Sequence, residues 1–289
     1  MGCTLCPRKC GADRTVSVGF CGMSDKLKAA RAGLHFWEEP CISGTNGSGT
    51  VFFSGCVMRC CYCQNHEISA QGNGKEISVS RLAEIFLELQ GQGAHNINLV
   101  SPTHFVPQII EALDIVKGSL KIPVVYNTGG YERIETLKML EGYIDIYLPD
   151  IKYFSDEAAK LSQAPNYFDT AMEAVGEMVR QTGKPSFDGE LLKKGVIVRH
   201  MVLPYMYKDS VEVIRRLGER FGDDILFSLM SQYTPFHKAK DDPRLGRRIT
   251  TFEYRKALDA VTQAGLSGYM QQRSSAKEEY TPAFDLSGL

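Results

Sequence analysis

Residues 51–63, Val-Phe-Phe-Ser-Gly-Cys-Val-Met-Arg-Cys-Cys-Tyr-Cys, constrain the rest of the chain more than any other stretch. The apolar, aromatic run of Val51, Phe52 and Phe53 suits a buried strand, and Gly55 ends it where a cysteine-rich loop begins. Cys56, Cys60 and Cys63 follow with three and then two residues between them, so one short turn brings three thiolates around one small object. A closed zinc or iron–sulfur site normally takes four protein ligands, so three suggest a cluster with one iron left open. Cys61 is badly placed as a fourth, because neighbouring residues in a turning loop point their side chains apart. Zinc binding, or a spacing produced by the crowding of all nine cysteines before residue 64, stays open at this point.

Composition sets the class. The chain has 289 residues, enough for a substantial core, with 43% hydrophobic and 23% charged residues, as in an ordinary soluble protein. A net charge of −1 gives no overall reason to expect nucleic acid or membrane as a partner. No run approaches the length of a membrane span, and the N-terminus lacks the apolar core of a signal peptide. Met1-Gly2 has the start of a myristoylation motif, but Cys6 stands where Ser or Thr is needed. The expected location is the cytoplasm, where clustered cysteines serve as metal ligands rather than disulfides.

Residues 1–22 carry Cys3, Cys6, Cys10 and Cys21 with little apolar periodicity. Four cysteines suffice for a closed second site, and the spacing leaves zinc and an auxiliary iron–sulfur cluster both open. Residues 23–50, with Trp37-Glu38-Glu39-Pro40 and a Gly/Ser-rich end, read as a lead-in loop, and Cys41 as a packed thiol. Beyond them, strands are expected near 51–55, 96–101, 123–127, 144–150, 195–203 and 225–231, and helices near 79–92, 104–118, 133–141, 165–182, 209–221 and 251–264. A short seventh strand is expected at 268–271. Six βα units predict an α/β fold, a partial (β/α)6 barrel of parallel strands with right-handed crossovers. The expected organisation is a Cys-rich extension over 1–49, the partial barrel over 50–272 and a tail over 273–289.

Parallel barrels place their chemistry at the C-terminal ends of strands. Those ends read Ser101-Pro102-Thr103-His104, Asn127-Thr128-Gly129-Gly130, Pro149-Asp150-Ile151-Lys152, Arg199 to Pro204, and Ser231-Gln232-Tyr233. Two long connections, 154–194 and the charged 232–250, are expected to flank the site.

The Cys-x3-Cys-x-Tyr-Cys pattern of Cys56, Cys60, Tyr62 and Cys63 resembles the radical S-adenosylmethionine (SAM) superfamily. The resemblance implies a 4Fe-4S cluster on the three cysteines whose open iron chelates SAM, and an electron passed from it that releases a 5′-deoxyadenosyl radical. Residues 50–235 look most like the activating enzymes of glycyl-radical proteins, of the pyruvate formate-lyase activating type. Asn127-Thr128-Gly129 is similar to that family's strand-three end, Asp150 and Lys152 to its Asp-x-Lys, and Arg199 to Pro204 to its Arg-x-Val-Val-Val-Pro. By that likeness Asn127, Asp150, Lys152 and Arg199 lie near SAM, and Tyr62 places the adenine. Where the family has Gly-Gly-Glu-Pro to receive the methionine amino group, this chain has Ser101-Pro102-Thr103-His104, so Ser101 and Thr103 stand in as hydroxyl acceptors. Gly129-Gly130-Tyr131-Glu132 reads as a displaced copy that follows the wrong strand.

The implied partners are a low-potential electron donor of flavodoxin or ferredoxin type and a glycyl-radical protein. A radical enzyme acting on a small molecule, peptide or RNA is the second reading, and a non-catalytic iron–sulfur or zinc module the third.

Overall fold

The structure is a computed structural model that describes residues 2–271 and 281–289. Its strands are β1 (Lys28–His35), β2 (Ser48–Phe53), β3 (Lys75–Glu76), β4 (Ile97–Val100), β5 (Val124–Thr128), β6 (Ile146–Pro149), β7 (Ser186–Asp188), β8 (Leu191–Met201), β9 (Leu226–Met230) and β10 (Gly268–Met270). The helices are α1 (Pro40–Ser43), α2 (His66–Ser69), α3 (Val79–Gly91), α4 (Val106–Val116), α5 (Ile134–Met139), α6 (Asp156–Ala159), α7 (Tyr167–Thr182), α8 (Tyr207–Phe221) and α9 (Thr251–Ala264).

One sheet runs in the order β10-β9-β8-β6-β5-β4-β2-β1-β3. From β2 to β10 every neighbouring pair is parallel, and the strands follow chain order. That is the arrangement of a (βα) barrel left open, with β3 and β10 at its edges. Each expected parallel strand is present, and β10 is the short seventh.

Period-two alternation sorts the strand residues between two faces. One set, including Val51, Phe53, Leu99, Tyr126, Tyr147, Val198 and Phe227, meets the long helices in the main core. Burying a side chain such as Phe53 contributes about 1.5–3 kcal/mol. The other set, Val125, Ile146, Leu148 and Ile197, packs on Cys41 and Ile42 of α1, so this short helix plugs the inner face. Side-chain caps set the starts of α3 and α9. Ser78 Oγ accepts the Arg81 N–H at 3.0 Å to open α3, and Thr250 with Glu253 forms a capping box at α9.

Residues 23–50 are not the expected lead-in loop. They include β1, antiparallel to β2, and α1. The signal was weak because β1 reads Lys-Ala-Ala-Arg-Ala-Gly-Leu-His, without a β-branched residue or clean alternation. Likewise β8 begins at Leu191, four residues early, because β7 pairs with it as an antiparallel hairpin inside the 154–194 connection. Of the tail, residues 273–280, including Tyr280, lie outside the described residues; the remainder docks on β1. There Leu286 N–H reaches Ala30 O at 3.1 Å, and Phe284 lies edge-on to Phe52 with centroids 5.5 Å apart.

Candidate active site

The inner face of the sheet, above the α1 plug, opens into a cavity of about 440 Å³. Its wall includes Cys56, Cys60 and Cys63 from the loop after β2, and the polar ends of β4, β5, β6, β8 and β9. Gly55 makes the turn into that loop. Its φ is +81°, and a Cβ there would lie 2.4 Å from Met23 Cγ and 2.8 Å from Cys21 O, so a side chain has neither the conformation nor the room.

Each of the three sulfurs has a hydrogen-bonding neighbour. The Met58 N–H points at Cys56 Sγ at 3.4 Å, the Ser162 hydroxyl donates to Cys60 Sγ at 2.9 Å, and Ser69 Oγ lies 3.3 Å from Cys63 Sγ. Ser162 is in turn bonded to Tyr153 OH at 2.6 Å, and Tyr153 to Tyr62 OH, so a buried hydroxyl chain runs from the motif's aromatic residue to its second cysteine. Burial pushes the Cys56 thiol up to about 12, and it raises Cys60 to about 11 against the pull of Lys152. Such thiols ionise only when a cationic group binds them. Three sulfurs on one cavity wall, each with a polar neighbour, fit a thiolate-ligated cluster with an open site. Cys61 is absent from that wall. Its N–H bonds Leu161 O at 2.8 Å and its carbonyl accepts from Ala239 at 3.1 Å, which fixes it toward the 237–242 segment.

A chain of charges lines the same cavity as the sulfurs. Lys152 Nζ meets Asp150 Oδ2 at 2.5 Å, and Arg199 Nε meets Asp150 Oδ1 at 2.8 Å. Arg199 also donates from its two terminal nitrogens to Glu38 Oε2 at 3.0 Å and Asn127 Oδ1 at 2.6 Å. Glu38 Oε1 accepts from Asn98 at 3.0 Å and Asn127 at 3.1 Å. Burial works against the charge on Asp150, but Arg199 and Lys152 outweigh it and hold the carboxyl below its usual range. Burial and Glu38 together raise Glu39, although Arg199 opposes them; its Oε2 is buried with no hydrogen-bond partner.

The structure thus gathers Tyr62, Ser101, Asn127, Asp150, Lys152 and Arg199 on one wall with the three cysteines. Ser101 sits there with φ +57°, a left-handed conformation that a serine adopts at a cost and that turns the chain at the end of β4. Thr103 is elsewhere. It is buried beneath the wall, and its hydroxyl donates to Glu132 Oε1 at 2.6 Å. Glu132, from the displaced Gly-Gly-Tyr-Glu stretch, also takes bonds from Thr128 and, at 3.3 Å, from Tyr126; burial raises it to about 7 despite all three. His104 and His200 are core residues: His104 Nε2 bonds Ser54 O at 2.7 Å while its Nδ1 is buried without a partner, and His200 bonds Ile151 O at 2.6 Å and Ser210 Oγ at 2.8 Å.

Sequence reasoning missed Glu38 and Glu39, which arrive from the segment taken for a loop. The only signal was an acidic pair before Pro40, where the plug helix starts. It also missed Ser162 and Tyr153, for which spacing offered none. The charged 232–250 connection does flank the cavity, giving Gln232, Tyr233, Thr234 and Phe236 to its wall, while His237 stacks on His66 at 4.9 Å. Its basic cluster is partly neutralised, Arg247 being bound by Glu253 at 2.7 and 2.9 Å, while Asp242 caps a turn by accepting the backbone N–H groups of Arg244 and Leu245. The 154–194 connection lines none of the cavity and instead supports the cysteine loop from behind through Leu161 and Ser162.

The Radical SAM superfamily profile matches residues 50–218, more than half of the chain. The chain belongs to the radical SAM superfamily, whose members use a 4Fe-4S cluster and SAM. It is 30% identical over 274 residues, 91% of its length and 75% of the relative's, to uncharacterized protein MJ0674 of Methanocaldococcus jannaschii. It is 27% identical over 183 residues, 61% of its length and 70% of the relative's, to the pyruvate formate-lyase-activating enzyme of Clostridium pasteurianum. Among solved structures it shares its fold with Streptococcus suis SuiB bound to precursor peptide SuiA (TM-score 0.53, 13% identity), covering 75% of this chain but 46% of SuiB. Methylornithine synthase is similar at TM-score 0.50 and 14% identity, with coverage of 74% and 68%. No helix among the described residues is long and apolar enough to cross a membrane.

Proposed function

We propose that this protein cleaves SAM reductively and uses the radical to abstract a hydrogen atom from a glycine in a partner polypeptide. The observation that carries the reading is that Cys56, Cys60 and Cys63 line one cavity together with the Asp150–Lys152–Arg199 charge chain. When bound, the cluster supplies one electron to the SAM sulfonium, which breaks the bond to C5′ and releases methionine and the deoxyadenosyl radical.

The chain's own residues bind and orient. SAM presents an ammonium, a sulfonium, a carboxylate and a ribose diol, which call for mixed donors and acceptors within one concave site. Lys152 and the guanidinium of Arg199 suit the carboxylate or the diol oxygens. Ser101, at the end of β4 where the activating enzymes carry an acid, offers an acceptor to the ammonium, and Glu38 adds a carboxylate to the floor. Tyr62 and the neighbouring Tyr233, with ring centroids 5.9 Å apart, form an aromatic wall that suits adenine.

The finer reading, glycyl-radical formation, rests on the likeness to the activating enzyme and on the strand-end residues shared with that family. Anaerobic incubation with SAM, a reductant and a candidate partner tests it by electron paramagnetic resonance. The expected signal is a glycyl-radical doublet on the partner. No doublet, with deoxyadenosine formed in step with a small molecule or peptide, would replace the reading with the second enzyme hypothesis.

A further inference from the structure

Residues 2–27 contain no helix or strand, and two of their apolar side chains are largely uncovered, Val16 being 84% and Val18 60% exposed. Only Cys6, Cys21, Met23 and Leu27 of the segment reach the main core. The segment's four cysteines lie together: Cys3 and Cys10 are within electrostatic reach of Cys21, as are Cys3 and Cys21 of Cys6. A Cβ on Gly19 would sit 3.4 Å from the sulfur of Cys10 and 3.4 Å from that of Cys21, so the glycine leaves the space between them clear.

At Cys56 the N–H of the residue two further on, Met58, points at Sγ. Backbone donors aimed at sulfur stabilise thiolates that bear metal. A zinc ion with bonds of about 2.3 Å would draw tetrahedral sulfurs to about 3.8 Å from one another. Among the described residues no three His, Cys, Asp or Glu groups converge on a single ion, either here or at Cys56, Cys60 and Cys63.

The segment is also joined to the catalytic loop. The Cys56 N–H donates to Cys21 O at 3.3 Å, so a residue of one cysteine set hydrogen-bonds directly to a residue of the other. Arg8 Nε bonds Val57 O at 2.9 Å, Arg59 bonds Phe20 O at 2.6 Å, and the Arg8 guanidinium lies 4.0 Å over the Phe20 ring. Cys10 is solvent-exposed at the outer side of the set, while Cys21 is buried against the loop.

We infer that Cys3, Cys6, Cys10 and Cys21 hold a second iron–sulfur cluster that passes electrons inward through the Cys21–Cys56 contact, resting on the assignment of the first cluster to Cys56, Cys60 and Cys63. A one-electron donor of flavodoxin or ferredoxin type reduces the outer cluster at its exposed Cys10 side. The same electron moves to the inner cluster and then into the sulfonium of SAM, whose S–C5′ bond breaks. The outer cluster ends each turnover oxidised as it began.

Two measurements test this. A Cys56→Ala/Cys60→Ala/Cys63→Ala variant, reconstituted anaerobically with iron and sulfide, is expected to retain about four iron and four sulfide per chain and to show a paramagnetic signal on reduction. Zinc in their place, or no metal, overturns the site whether or not the first cluster is real. A Cys3→Ser/Cys10→Ser variant with the inner cluster loaded, checked for its unfolding temperature, is expected to form deoxyadenosine in a single turnover at least tenfold more slowly with reduced flavodoxin, and at a near wild-type rate with dithionite. Wild-type speed with flavodoxin overturns the relay. Should the serine variant not fold, the rate of reduction of the inner cluster in a Cys10→Ser single variant decides in the same way.

Discussion

Arg199 Nε donates to Asp150 Oδ1 at 2.8 Å, tying the C-terminal end of β8 to the residue that follows β6 on the cavity lining. Both side chains are under one-fifth exposed, at 14% and 16%. A pair so placed is costly to break from one side, because the survivor is a buried charge. Arg199→Lys keeps the charge but loses the fork that also reaches Glu38 and Asn127. SAM affinity measured by equilibrium binding on cluster-loaded protein is expected to fall about tenfold or more for Arg199→Lys and further for Asp150→Ala, a loss of about 1.4 kcal/mol per decade. Unchanged affinity in both would place SAM elsewhere.

Ser162 gives the cluster loop a hydroxyl donor at Cys60. Donors to a ligating sulfur stabilise the reduced, more negative cluster. Ser162→Ala is therefore expected to make the cluster's midpoint potential more negative with iron content intact. Redox titration followed by electron paramagnetic resonance reads the shift, and a potential equal to or above wild type contradicts the role.

Glu132 makes stability depend on pH. Burial raises its carboxyl from an ordinary 4.5 to about 7, so between those values the folded state holds a proton that the unfolded state has released. Its contribution is complete below pH 4.5 and is lost as pH rises through 7. The size at stake is on the order of 3 kcal/mol. Thermal unfolding from pH 5 to 8 should show wild type losing stability relative to Glu132→Gln, which keeps an acceptor for Thr103 and Thr128. Parallel pH profiles for the two proteins would contradict the assignment.

The parallel strands and major helices were legible because their apolar periodicity agrees with their tertiary role. The strand ends carrying Asp150, Lys152 and Arg199 were legible for the same reason, since strand polarity fixes which end is the rim. Glu38 was not. It reaches the site through β1, whose alanines pair well with β2 yet leave little pattern, and through a four-residue plug helix too short to register. Thr103 misled because a hydroxyl at a strand end reads alike whether it faces a cavity or a buried carboxylate. Only the position of Glu132, brought over from the end of β5, separates the two.

Deoxyadenosine formation by anaerobic, iron-loaded protein with SAM and dithionite tests the central claim most directly. Wild type is expected to form deoxyadenosine and methionine in equal amounts. Cys60→Ala should form none, and Cys61→Ala, whose backbone is fixed away from the cavity, should retain wild-type cleavage. Cleavage that survives Cys60→Ala, or that is lost with Cys61→Ala in a folded protein, would contradict the assignment of Cys56, Cys60 and Cys63 as the cluster ligands.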